Sequence, residues 1–204
     1  GVTGVQTCAL PISVPVGQGG MAAIIGLADE VIIDACEQAT RAAGEVQAVN
    51  FNCPGQTVIA GTNKGVEAAV ELLKEAGAKK AVILPVSAPF HSTLMKPAGI
   101  KLAAELDKVE IRDARIPVVS NYTGELEHTA AEIKANLVAQ ADHPVKWIAC
   151  VNAMKVFGAD TFVEAGPGKT LCGFNRRIDK ELKSMNVENL ETLQKTLDYF
   201  KEVR

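Results

Sequence analysis

Few residues in this sequence have the chemistry to move a proton or form a covalent bond, and the most suggestive of them is His91. It stands in Val86-Ser87-Ala88-Pro89-Phe90-His91-Ser92, just past an apolar run that reads as a strand. Loops at strand ends are where a rigid scaffold holds catalytic side chains. An imidazole titrates near neutral pH, so at such a place it could serve as a general base. On spacing alone, a histidine beside an aromatic such as Phe90 is more often a packing or capping residue. Ser92 is not the partner for such a base, because neighbouring side chains diverge; Ser92 or Thr93 is expected to cap a helix ahead of Pro97. No Gly-x-Ser-x-Gly occurs, so Ser87, Ser92, Ser120 and Ser184 all lack the nucleophile-elbow setting.

Two other patterns invite chemistry. Glu164-Ala165-Gly166-Pro167-Gly168-Lys169-Thr170 looks like the end of a phosphate-binding loop. The glycine such a loop needs falls at Val163, and Pro167 removes a backbone donor, so a tight strand-to-helix turn is the better reading. Asn50 and Asn52 alternate within one strand-like run, and a period of two aims both amides at one surface. They could bind a substrate or satisfy the backbone of the adjoining turn. His91, His128 and His143 have no paired-ligand spacing, and Cys8, Cys36, Cys53, Cys150 and Cys172 form no CxxC, so neither a metal site nor a disulfide framework is indicated.

These residues sit in a chain of ordinary globular composition. Hydrophobic residues make up 48% and charged residues 22%, which excludes disordered and fibrous classes. The net charge of −3 supplies no field for a phosphate backbone or an anionic lipid surface, and no apolar run is long enough to span a bilayer. Scattered, unpaired thiols fit a reducing cytoplasm. Residues 1–13 carry no helical or alternating pattern. From Val2 to Ser13 they resemble the translation of a sequencing adapter and are read as a non-native leader.

From Met21 the pattern resolves into elements: a strand ending at Gly26, a helix from Asp29 with Ile32, Cys36 and Ala39 on one face, and strands over 46–52 and 56–60 joined by Cys53-Pro54-Gly55. A helix with Val66, Val70 and Leu73 follows, then a buried strand over 81–86. The order βαββαβ predicts a ferredoxin-like subdomain over 14–88, with both helices on one face of a four-stranded sheet. The rest predicts helices over 94–106, 131–140, 145–157, 170–182 and 190–200, with strands over 116–120 and 161–164. Alternation of this kind makes residues 89–204 an α/β layer, and its two strands are too few for a parallel sheet covered on both faces. Further core strands are expected upstream.

Four blocks in order, 20–26 (Gly-Met-Ala-Ala-Ile-Ile-Gly), 49–61 (Val-Asn-Phe-Asn-Cys-Pro-Gly-Gln-Thr-Val-Ile-Ala-Gly), 89–98 (Pro-Phe-His-Ser-Thr-Leu-Met-Lys-Pro-Ala) and 164–171 (Glu-Ala-Gly-Pro-Gly-Lys-Thr-Leu), resemble the bacterial malonyl-CoA:acyl-carrier-protein transacylases. The resemblance runs from Gly17 to about Asp179. It implies an α/β-hydrolase-like acyltransferase core carrying a ferredoxin-like subdomain, with residues 89–204 the C-terminal part of that core. It also implies that His91 activates the serine of a Gly-His-Ser-x-Gly elbow lying upstream, oriented by the main-chain carbonyl of Gln140. Phe90 resembles the bulky residue that would leave little room for an α-methyl group, and Asn50 and Asn52 fall in the second block. The implied chemistry is ping-pong transfer of malonyl from coenzyme A, a substrate, to the carrier protein's phosphopantetheine thiol in fatty acid biosynthesis. No cofactor is expected, and the implied enzyme is a cytoplasmic monomer. The elbow serine and the arginine that pairs with the malonyl carboxylate both lie upstream in the family, so this chain is expected to be inactive alone.

An acyltransferase domain of a polyketide or fatty-acid megasynthase shares this chemistry, but the Leu190–Phe200 pattern followed by Lys-Glu-Val-Arg reads as the end of a free-standing protein. A ferredoxin-like RNA-binding module is the reading from another class. It needs sheet aromatics and basic charge, and only Phe51 falls in a strand of the βαββαβ region.

Overall fold

The structure, a computed structural model, describes residues 19–86 and 88–203; the proposed leader, 1–13, lies outside them. The chain forms two compact units, one ending at Cys150 and one beginning at Val151.

The first unit opens with β1 (Gly19–Ile25), α1 (Asp29–Ala42), β2 (Val46–Cys53), β3 (Gln56–Thr62), α2 (Asn63–Glu75) and β4 (Lys80–Ile83). The strands form one antiparallel sheet in the order β2-β3-β1-β4. Ile32, Cys36 and Ala39 of α1 and Val66, Val70 and Leu73 of α2 bury against Ala22, Ile24, Val46, Ala48 and Ile59. The helical period that predicts both helices thus marks the face that packs on the sheet. Met21, Val49, Val58 and Ala60 form a second cluster. Thr62 caps α2, its hydroxyl accepting from Gly65 N–H at 3.1 Å. A Cβ on Gly65 would stand 2.3 Å from the Gly44 carbonyl, so only glycine allows this approach.

The last strand corrects the expectation of a buried run over 81–86. β4 stops at Ile83, and Val82 and Ile83 are 51% and 56% exposed. A β-branched run fits an edge strand as well as a central one, and among the described residues β4 pairs only with β1.

The first unit continues through a 3₁₀ turn at Thr93–Met95, α3 (Lys96–Leu106), β5 (Val118–Val119), β6 (Leu126–Glu127), α4 (Ala130–Ala139) and the start of α5 (Trp147–Val156). The strand expected over 116–120 shrinks to a two-residue rung of an antiparallel pair, because the chain turns back at once. Gly124 N–H donates to the Ser120 carbonyl at 2.8 Å. α4 begins in a capping box between Thr129 and Glu132.

In the second unit β7 (Thr161–Ala165) pairs in parallel with β8 (Lys183–Val187) across α6 (Thr170–Ile178), and α7 (Leu190–Glu202) follows. The helix expected over 170–182 ends at Ile178, and β8 was not anticipated. Lys-Ser-Met-Asn-Val has little strand propensity of its own, so its pairing with β7 decides.

Candidate active site

Residues 89–92 form a turn pressed onto the first sheet. Pro89 is buried so close to β1 that a Cβ on Gly19 would lie 2.4 Å from its Cδ. The fully buried Ser92 donates its hydroxyl to the Pro89 carbonyl at 2.7 Å, and its N–H reaches the same oxygen at 3.3 Å. This corrects the capping expectation. Ser92 stands at the N-cap position of the 3₁₀ turn but bonds backwards, and the Thr93 hydroxyl donates to the Glu45 carboxylate. Between these anchors His91 takes φ 63°, the one positive φ of a non-glycine residue among the described residues. That conformation costs about 1–3 kcal/mol and is held by surrounding structure.

The His91 Nδ1 lies 2.8 Å from the Gln140 carbonyl oxygen. A carbonyl only accepts, so Nδ1 carries the proton, and in the neutral ring Nε2 is left as the acceptor. Gln140 is the C-cap of α4, where carbonyls lack intrahelical partners and carry the negative end of the helix dipole. Burial pushes the His91 pKa below its ordinary 6.5, and the bond to Gln140 opposes that shift without cancelling it. The outcome is a neutral, oriented imidazole near pH 7, the state a general base requires. The Gln140 side chain takes no part in this bond.

What brings Gln140 to His91 is a second strand-like contact that no local sequence signal announces. Val145 bridges in parallel to Asn50 on the outer edge of β2. Its N–H donates to the Val49 carbonyl at 2.8 Å and its carbonyl accepts from Phe51 N–H at 2.9 Å. The helix expected over 145–157 therefore starts only at Trp147. His143 docks on the same end of α4, with Nδ1 2.8 Å from both the Ala139 carbonyl and Asp142 Oδ1.

β2 itself is interrupted by register shifts between Ala48 and Asn50 and between Phe51 and Cys53. Asn50 is paired with Val58, a member of the cluster against which Phe90 packs, so Asn50 and Phe90 share a sheet face. Asn52 lies in the second irregularity without a cross-strand partner of its own. Both amides are half-buried, and among the described residues neither side chain has a hydrogen-bond partner, which leaves their donors and acceptors open to a ligand. The turn thus sets His91 on the Gln140 carbonyl and Phe90 on the sheet face that Asn50 shares.

Comparison with known proteins gives the family of the chain. The profile of the acyl transferase domain family matches residues 7–200, a span that starts inside the segment read as a leader. The chain belongs to the acyl transferase domain family. It is 44% identical over 190 residues to the malonyl CoA-acyl carrier protein transacylase of Bacillus subtilis, covering 93% of this chain and 60% of that protein. The acyl-carrier-protein S-malonyltransferase of Burkholderia pseudomallei superposes with a TM-score of 0.91 at 45% identity, covering 95% of this chain and 63% of that one. A malonyl-transacylase solved in complex with its type II polyketide acyl-carrier protein gives 0.90 at 40% identity, with 94% and 62% covered. The chain therefore spans less than two thirds of the length of these relatives.

In this acyl transferase chain the run 164–171 binds no phosphate in the manner of a nucleotide loop, because its donors are taken. The Glu164 carboxylate accepts from Leu171 N–H at 3.1 Å and Cys172 N–H at 2.9 Å. Gly168 N–H donates to Glu188, and Gly166 N–H to the Val187 carbonyl. Burial raises the Glu164 pKa, but the N–H bonds outweigh it, and the carboxyl lies below its ordinary value. The carboxylate at the start of α6 occupies the place an anion would take.

Proposed function

We propose that this chain carries the histidine part of a site that transfers malonyl from coenzyme A to the phosphopantetheine thiol of an acyl carrier protein. The observation that carries it is the 2.8 Å bond from His91 Nδ1 to the Gln140 carbonyl. It fixes the tautomer that leaves Nε2 free, in a chain of the acyl transferase family. In the proposed reaction His91 Nε2 takes the proton of a serine hydroxyl supplied by sequence outside this chain. The serine oxygen attacks the malonyl thioester, the C–S bond breaks, and coenzyme A leaves with the proton returned by His91. The carrier thiol then gives its proton to His91, attacks the malonyl ester, and the serine is regenerated. A relative solved with its type II polyketide carrier protein supports a carrier protein as acceptor.

Phe90 is placed beside the base to crowd an α-methyl group, so malonyl is favoured over methylmalonyl, and Asn50 and Asn52 offer unpaired amides to the acyl group or pantetheine arm. Residues 14–88 are read as a ferredoxin-like subdomain, supported in the described part by the βαββαβ succession and the order β2-β3-β1-β4. The remainder is read as the C-terminal part of an α/β-hydrolase-like core. The working enzyme is proposed to be a cytoplasmic monomer that needs no cofactor.

The test has two arms. The 204-residue chain, given labelled malonyl-CoA and carrier protein, should transfer nothing. A chimera joining the unmatched upstream part of the Bacillus subtilis relative to the matched part of this chain should transfer malonyl and lose about 10²–10⁴-fold in rate on His91→Ala. Transfer by the chain alone, abolished by His91→Ala, overturns the inactivity. An active chimera indifferent to His91→Ala overturns the role of the histidine.

A further inference from the structure

We propose that Gln47 is a positioning residue for His91, acting through the backbone of Thr93; this rests on the reading of His91 as the base. The Gln47 Oε1 accepts from Thr93 N–H at 3.0 Å, across 46 residues of sequence. That N–H is the first donor of the Thr93–Met95 turn, and a helical turn supplies no partner of its own for it. Gln47 is thus the cap that Ser92 does not provide.

The consequence reaches His91 because the segment between them is short and this bond pins its downstream end. Upstream, Pro89 is wedged against Gly19, and Ser92 is bonded to Pro89. His91 sits inside that closed turn at φ 63°, a conformation that relaxes when the chain on either side is free. Downstream, the direct tie from backbone to sheet is Thr93 N–H on Gln47. The strand that carries Gln47 is also the strand on which Val145 docks, and Val145 lies five residues beyond Gln140. β2 therefore holds both partners of the His91–Gln140 bond, His91 through Gln47 and the Gln140 carbonyl through Val145.

A groove of about 590 Å³ runs alongside, lined by Thr40, Arg41, Gln47, Thr93 and His143 among others. It brings solvent to the Gln47 carboxamide. Water can therefore replace the lost acceptor in a variant, and the chain stays folded while the turn loosens.

The test reads the ring proton on Nδ1, which a carbonyl bond protects from exchange with water. In the full chain, ¹⁵N-labelled at histidine, the Nδ1–H signals of His91 and His143 are assigned by their loss in His91→Asn and His143→Asn. In Gln47→Met the His91 signal should exchange about tenfold faster or vanish, as for a local opening. The His143 signal, which reports the same end of α4, should stay unchanged. Thr93→Val removes the hydroxyl's bond to Glu45 and its long 3.5 Å contact with Gln47 Oε1, keeps the N–H bond to Gln47, and should leave both signals in place. An unchanged His91 signal in Gln47→Met overturns the proposal. So does loss of both histidine signals, which marks general loosening, or an equal effect of Thr93→Val. Because no transfer is measured, a failure here is separate from a failure of the transacylase reading.

Discussion

At the scale of single residues, His91 combines a backbone conformation that side chains avoid with a ring environment that disfavours its charge. Each has a measurable consequence. Glycine takes positive φ without a Cβ clash, so His91→Gly should be more stable than His91→Ala by about 1 kcal/mol in urea denaturation. Equal stabilities would show that φ 63° is not maintained. The second consequence concerns pH. Burial holds the folded pKa below 6.5, so between the two values the unfolded chain binds more protons. The stability that His91 contributes is full above the unfolded pKa and declines as pH falls from there to the folded pKa. Urea curves at pH 7 and at lower pH should show this loss in the parent chain and not in His91→Asn. A pH dependence shared by both would assign it to other groups.

At the scale of elements, the helices packed on the first sheet were legible because period 3.6 leaves a one-sided pattern, as at Ile32, Cys36 and Ala39. Strands were legible where alternation or an apolar run marked them, as in β2, although its register shifts were not; β8 has neither mark, and Lys183–Val187 forms a strand because β7 lies beside it. His91 was legible as a residue, and Gln140 through resemblance. The contacts that join them were not, since Val145 and Gln47 act through pairings 95 and 46 residues apart that no local pattern encodes. The packing of the turn on β1 gives a test at this scale. Gly19→Ala places a methyl where Pro89 stands, and overpacking of this kind should destabilise the chain by about 1–3 kcal/mol. The displaced turn should also broaden the His91 ring signals while leaving those of His143 sharp. Full stability with unchanged His91 signals would contradict the close approach of Gly19 to Pro89.

At the scale of the whole molecule, composition excluded classes of function without choosing among the rest, and four ordered blocks did what single motifs could not. The P-loop-like run shows the difference: its residue types fit a nucleotide site, and the Glu164 carboxylate, three-dimensionally adjacent to the helix start, fills it. What sequence patterning misjudged at this scale is exposure. Val82 and Ile83 were read as buried and instead lie on an edge strand, 51% and 56% exposed, with one side of β4 open to pairing among the described residues. An apolar edge with free backbone donors and acceptors is a template for another chain's edge, and a charged residue there blocks it. Self-association through β4 would compete with the proposed monomer as concentration rises. The weight-average mass from light scattering should therefore increase with concentration, and Val82→Lys should suppress the increase while leaving the circular dichroism unchanged. Because Val82 pairs with Ala23 but is half exposed, lysine can keep the backbone register and carry its charge into solvent. Undiminished scattering in Val82→Lys would mean that β4 is not the edge through which the chains meet.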